Sequence, residues 1–274
     1  MDGLLKGKRG IIFGALDEKS MAWHIAEKVV EHGAKITLSN TAMAIRFGKV
    51  KELGQKLNAE VIPADATNID DLEQVFTKSM DVLGGKIDFV LHSIGMSLNI
   101  RKKRPYTDVN YDFYMKTLDI SAISFHKIIQ TAYKLDAMNE WGSIVAITYI
   151  AAQRTFDRYN DMADAKALLE SIARSWGYYY GKKRKVRINT VSQSPTPTTA
   201  GQGIDGFDVF YQYADKLSPL GNADADDLAN YVVTLFSDLT RKVTMQNLYH
   251  DGGFSSMGMS DELMQEISNK LNKD

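Results

Sequence analysis

The feature that most constrains this chain is an alternation of short β-rich runs with longer helical ones along its 274 residues. Gly10-Ile-Ile-Phe-Gly14 is an apolar run ending in glycine, and Ser20 to Gly33 follows with Met21, Ile25, Val29 and Val30 at helical spacing. Further strands are predicted at Lys35–Ser39, Glu60–Pro63, Ile87–Leu91, Ser143–Ile147, Val186–Val191 and Asn247–His250. Helices are predicted over Ala42–Leu57, Asp70–Leu83, Tyr111–Leu135 and Asp161–Tyr180. Such repeats build βαβ units, so the expected fold is α/β, a doubly wound parallel sheet with helices on both faces. No composition break or repeat divides the chain, which predicts a single domain over residues 1–274. Residues 193–220 hold Pro195, Pro197, Pro219 and several glycines. They read as an irregular insertion after a strand, where a substrate-covering loop or helix belongs. The tail beyond Ser255 is polar and Met-rich, with an end expected to fray.

Bulk properties exclude several classes. Hydrophobic residues make up 44%, enough for a sizeable core. A net charge of -1 gives no pull towards nucleic acid or an anionic membrane. The absence of cysteine removes disulfides and thiolate metal sites, and no metal is expected. Met1-Asp-Gly-Leu-Leu-Lys lacks the apolar run of a signal peptide, and no segment reaches the roughly 20 apolar residues that span a bilayer. The expectation is a cytoplasmic protein.

A glycine-ended strand running into a helix suits a pyrophosphate, because the backbone comes close and the helix start offers free N–H groups. The run Gly14-Ala-Leu-Asp-Glu-Lys-Ser20-Met21 is not the G-x-G-x-x-G pattern, however, and Ser20 reads equally as a helix cap. Ser39-Asn-Thr41 closes the second strand without the acidic residue usual for NAD or the basic one usual for NADP; Arg46 lies nearby.

The strongest signal is Tyr159-Asn-Asp-Met162-Ala-Asp-Ala-Lys166, six residues between phenol and amine, a gap that puts them about two helical turns apart on nearly one face. A lysine there can hold a nicotinamide ribose and favours the phenol as a donor to developing negative charge. Ketone and alcohol oxidoreductases of the short-chain type carry Tyr-x-x-x-Lys with a serine about thirteen residues earlier. Here that position is Ala146, and Tyr149 lies ten before Tyr159. The pattern points away from carbonyl reduction, which stays the alternative reading.

Gly14-(x5)-Ser20-Met21-Ala22, Ala64-Asp65-Ala66, Leu91-His-Ser-Ile-Gly95, Thr148-Tyr149-Ile150, Tyr159-(x6)-Lys166, Pro195-Thr-Pro-Thr198 and His250-Asp-Gly-Gly253 together resemble the enoyl-(acyl-carrier-protein) reductases, the divergent branch of the short-chain dehydrogenase/reductases. The likeness runs from about Leu4 to Phe254. It implies a Rossmann-like sheet, usually in a homotetramer, and reduction of a trans-2-enoyl thioester by NADH (favoured) or NADPH. The enoyl group would be carried on acyl carrier protein, in the last reductive step of fatty-acid elongation. Tyr149, Tyr159 and Lys166 become the catalytic set. Gly14, Ser20, Met21, Thr41, Asp65, Ala66, Ser93, Ile94, Gly95, Thr148 and Lys166, with the run Thr196, Pro197, Thr198, Thr199 and Ala200, become cofactor-binding. Ser97, Tyr149, Tyr159, Met162 and Phe207 become substrate-binding. Two departures stand out. Thr196-Pro197 replaces the usual Ile-Arg/Lys, and Asp205 and Asp208 stand where relatives carry basic residues. Arg101-Lys-Lys-Arg104 and Lys182-Lys-Arg-Lys185 are then alternative patches for an acidic carrier protein.

Overall fold

The computed structural model describes residues 3–199, 201–203 and 206–272. Among these, seven strands form one sheet: β1 (Arg9–Phe13), β2 (Lys35–Asn40), β3 (Glu60–Pro63), β4 (Ile87–His92), β5 (Met138–Thr148), β6 (Arg187–Gln193) and β7 (Asn247–His250). The order is β3-β2-β1-β4-β5-β6-β7, and every pair is parallel. The helices are α1 (Met21–Glu31), α2 (Ala42–Phe47), α3 (Val50–Leu57), α4 (Ile69–Leu83), α5 (Leu98–Arg101), α6 (Tyr111–Leu118), α7 (Ser124–Lys134), α8 (Asp161–Arg184), α9 (Phe207–Leu217), α10 (Ala225–Phe236) and α11 (Asp261–Leu271). The expected doubly wound, Rossmann-like sheet is the one observed.

Strand period two divides the core. Ile11, Phe13, Val90, Ile144, Ala146 and Ile188 face α4, α7 and α8. Ile12, Leu38, Phe89, Leu91, Val145, Ile147 and Val191 face α1 and α10, where the Phe89 and Phe236 rings stack at 4.5 Å. With both faces covered, the strands read as near-continuous apolar runs. The chain leaves β1 towards β2 and β3, then crosses back to β4. The carboxyl ends of β1 and β4 therefore open a crevice at the point where strand order reverses, the usual place for a ligand in such sheets.

Several boundaries differ from expectation. The helix expected over Ala42–Leu57 breaks at Gly48-Lys49, where the Gly48 backbone is extended, giving α2 and α3. The one expected over Tyr111–Leu135 carries a π-helical turn at Asp119–Ile123 between α6 and α7. Strand β5 starts at Met138, five residues early, with its register against β4 shifting between Ile87 and Phe89. The 193–220 segment contains α9, and the tail beyond Ser255 contains α11. Helix α11 lies against α9, with Lys216 pairing to Glu262 and Glu266. Among the described residues no helix is long and apolar enough to cross a membrane, and no cluster of three or more His, Asp or Glu could hold a metal ion.

Candidate active site

At the β1 end, Gly14 has φ of 102°, and a Cβ there would come within 2.1 Å of the Ser93 carbonyl oxygen. Glycine lets β1 and β4 close on each other and leaves bare backbone at the crevice. Ser20 precedes α1 with an extended backbone; its Oγ donates to the Asp17 carbonyl (2.7 Å) and accepts from Leu16 N–H (3.2 Å), closing the turn. Met21 opens α1 and packs on the core. Thr41 caps α2, accepting from Ala44 N–H at 3.2 Å. Asp65 is exposed and accepts from Thr67 N–H and hydroxyl at 2.9 and 2.8 Å; Ala66 is buried beside it. These residues line successive strand ends, as a dinucleotide laid across the switch point requires.

On the other side, Lys166 Nζ donates to the Ile147 carbonyl at 2.8 Å. A Cβ placed on Gly95 would lie 4.0 Å from that Nζ and 3.8 Å from Met162 Cε, so Gly95, Met162 and Lys166 meet at the β4 and β5 ends. Burial pushes the Lys166 ammonium down to about 8, against the opposing pull of Glu170. Glu170 is itself buried, and burial raises its pKa. Its carboxylate accepts from Thr148 Oγ (3.1 Å) and Gln153 Nε2 (3.0 Å), and the Tyr249 hydroxyl donates to Gln153 Oε1 at 2.5 Å.

The Tyr149 and Tyr159 rings lie 5.1 Å apart. Burial holds both phenols protonated well above ordinary pH; at Tyr149 the neighbouring Tyr159 and Asp251 add to it. The Tyr149 hydroxyl is buried with no hydrogen-bond partner among the described residues. An orphaned buried donor is what a ligand oxygen would satisfy. Phe156 and Phe210 meet the Tyr149 ring at 5.4 and 5.8 Å, and Phe156 meets Phe254 at 6.0 Å. Tyr149, Phe156, Phe210 and Phe254 thus form an aromatic cluster beyond the β5 end.

Tyr159 and Lys166 are not juxtaposed by helical spacing, as the sequence reading supposed: Tyr159 lies two residues before α8. Met162 does face Gly95. Phe207, expected to wall the pocket, is buried and meets Tyr211 in a tilted contact at 6.2 Å, and the α9 ring that meets Tyr149 is Phe210. The Ser97 hydroxyl is engaged within the fold, donating to Asp161 Oδ1 (2.6 Å) and accepting from Ile100 N–H (3.0 Å). Ser93 and Ile94 continue from β4, and Ser121 Oγ brackets the next peptide, accepting from Met96 N–H at 3.0 Å and donating to its carbonyl at 3.2 Å. In the 194–203 segment, Thr196 Oγ donates to the Ser194 carbonyl at 3.0 Å and Thr198 Oγ accepts from Gly201 N–H at 2.9 Å. Exposed Thr199 reaches back to donate to Asp17 Oδ2 at 2.6 Å, bridging the loops after β6 and β1. Pro197 is exposed between them, and Ala200 lies outside the described residues, as does Asp205. Asp161, Glu170, Phe156, Phe210 and Phe254 escaped the sequence reading, which had only local spacing to work with.

Comparison with known proteins converges. Residues 14–255 match the model of a family described as enoyl-(acyl carrier protein) reductase. Enoyl-(acyl-carrier-protein) reductase (NADH) 2 of Rhizobium meliloti is 35% identical over 94% of this chain and 96% of its own. An Alistipes finegoldii structure described as a FabI–NADH complex superposes with TM-score 0.93 at 67% identity, over 94% of this chain and 91% of that one. A Bacillus cereus enoyl-acyl carrier protein reductase with NADP+ and indole naphthyridinone gives TM-score 0.87 at 29% identity, over 94% and 100%.

Proposed function

The chain belongs to the enoyl-(acyl-carrier-protein) reductase family, and on that premise we propose that it reduces the trans-2 double bond of enoyl thioesters on acyl carrier protein with NADH, the last reductive step of bacterial-type fatty-acid elongation. The observation carrying this reading is the pair of phenols, buried Tyr149 and partly buried Tyr159, with rings 5.1 Å apart, together with buried Lys166 bonded to the Ile147 carbonyl at the β5 end. The crevice residues fit a dinucleotide, since Gly14 lets backbone approach a phosphate and the Tyr149 hydroxyl is left for a ligand.

NADH, when bound, would supply a hydride to the β-carbon of the enoyl group. Negative charge would then gather on the thioester oxygen as an enolate, and a proton added at the α-carbon would complete the saturated thioester. Tyr159, kept protonated by burial, donates a hydrogen bond to that oxygen, and in a desolvated site such a bond favours the transition state over the ground state. Lys166 holds the nicotinamide ribose and adds positive charge while it keeps its proton. Tyr149 and the Phe156, Phe210 and Phe254 rings line the acyl path and exclude water. The described part of residues 193–220 serves as the cover, with Thr196, Pro197, Thr198 and Thr199 along the cofactor. Ser20, Met21, Thr41, Asp65, Ala66, Ser93, Ile94, Gly95 and Thr148 complete the cofactor contacts, and Met162 walls the pocket. We place the working enzyme in the cytoplasm as a homotetramer. Ala146, buried and without a hydroxyl, argues against carbonyl reduction.

The test is oxidation of NADH by the purified chain with crotonyl and longer enoyl thioesters. Tyr159→Phe is expected to lower kcat by about 100-fold. NADH binding without enoyl turnover would overturn the reading.

A further inference from the structure

Tyr159 stands on an unusual piece of backbone. The residues on either side of it, Arg158 and Asn160, have φ of 66° and 50°. Asn160 combines this with ψ of -143°, a conformation that is costly to any residue with a Cβ. Strain of this kind persists only where surrounding bonds over-determine it. Here they do. The Asn160 side chain is buried, donates from Nδ2 to the Arg104 carbonyl at 2.7 Å and accepts from Asp161 N–H at 2.6 Å.

Asp161 is in turn fully buried. Ser97 Oγ donates to one carboxylate oxygen at 2.6 Å; Asn99 Nδ2 and Thr117 Oγ donate to the other at 2.7 and 2.8 Å. A buried carboxylate is tolerable only when its lone pairs are filled this way, and charge-assisted bonds are strong and directional. The donors come from three places: the start of α5, its interior, and α6. The anion therefore ties the β4–α6 excursion to the first residue of α8, one peptide from Asn160 and two from Tyr159. Nothing in its surroundings leaves it free to meet a ligand.

We propose that Asp161 and Asn160 are positioning residues for the reaction: the hydrogen-bonded carboxylate anchors the strained peptide, and the strained peptide aims the Tyr159 hydroxyl at the thioester oxygen. This rests on the role assigned to Tyr159 above. The energy stored in the Asn160 conformation is held so that the phenol has one direction rather than several, which matters only for a group that must meet a developing charge.

The test is Asn160→Gly, which accepts the backbone without strain, with Asp161→Asn as a second variant that turns one acceptor into a donor facing donors. Both are expected to lower kcat about tenfold with KM for NADH within about twofold, because the phenol is misaimed while the cofactor crevice is intact. Full kcat in Asn160→Gly would overturn the inference. So would a loss shared equally by kcat, NADH affinity and thermal midpoint, the mark of a structural role alone. Tyr159→Phe, measured in parallel, separates the two levels: full activity there would sink the reading beneath, whereas its loss beside an unaffected Asn160→Gly would sink only this inference.

Discussion

The two rims of the crevice are built differently. Along the ends of β1, β2 and β3, the polar side chains close their own turns: Ser20 binds residues 16 and 17, Thr41 caps the helix it precedes, and Asp65 binds Thr67. These bonds are local and either part-buried or solvent-exposed. Along the ends of β4 and β5 and the start of α8, the groups are buried and drawn from distant segments: Lys166 on the β5 backbone, Glu170 on Thr148 and Gln153, Asp161 on Ser97, Asn99 and Thr117. One rim offers backbone shape, which any dinucleotide can use. The other offers oriented charge in a low-dielectric setting, where each interaction is strengthened and each unpaired group is penalised. Recognition is inexpensive in sequence; chemistry has to be assembled.

The sharpest way to break this contrast is Gly14→Ala. If the first rim works through close backbone contact, a methyl placed 2.1 Å from the Ser93 carbonyl at positive φ should cost about 3 kcal/mol, a fall in thermal midpoint of roughly 6–12 °C, and should abolish measurable NADH binding. An unchanged midpoint would show that the rim is not backbone-defined.

The second rim predicts a pH signature. Lys166 titrates near 8 when folded, below its ordinary 10.5. Between those values the unfolded chain holds a proton that the folded chain has released, so stability of the cofactor-free protein should rise with pH across that window. Turnover should do the opposite, falling about tenfold per pH unit above 8 as the ammonium is lost. Lys166→Met should remove the stability rise. Its persistence in that variant would assign the proton elsewhere.

The smallest effect belongs to the bridge between rims. Thr199→Ala removes one exposed hydrogen bond to Asp17 and should weaken NADH binding by about threefold, read by calorimetry, with kcat unchanged. A larger loss of kcat than of affinity would mean that this bridge serves the chemical step.

The same division explains what could be read in advance. Periodicity is a local property, and the alternation of Ile11 with Ile12 or Ile144 with Val145 between the two core faces is written in adjacent letters. Strands β3 and β7 fall at the expected residues. Met138-Asn-Glu-Trp-Gly142, in contrast, has little β character, and only pairing with β4 makes it strand. Gly48 ends a helix that composition alone would continue. Tyr159 and Lys166 were legible as a spaced pair, although Tyr159 precedes α8 and only Lys166 lies within it. Asp161 and Glu170 read as ordinary helix charges, since their meaning arises only when residues 97, 99, 117, 148 and 153 arrive beside them. Phe210 rather than Phe207 reaches Tyr149 because of how α9 is turned, which no local pattern records.

The π-helical turn at Asp119–Ile123 has a consequence for how this chain can change length. It accommodates a surplus residue, and every side chain after it is rotated relative to an ordinary helix by about 100°. Ser121 sits inside the turn and grips the peptide of Met96; Ser124, just beyond, bonds buried His92 at the end of β4. Deleting a single residue here would give a smoother helix while swinging both hydroxyls out of phase with the crevice floor. The irregularity is thus a phase adjuster, which holds the Ser121–Met96 and Ser124–His92 bonds in register.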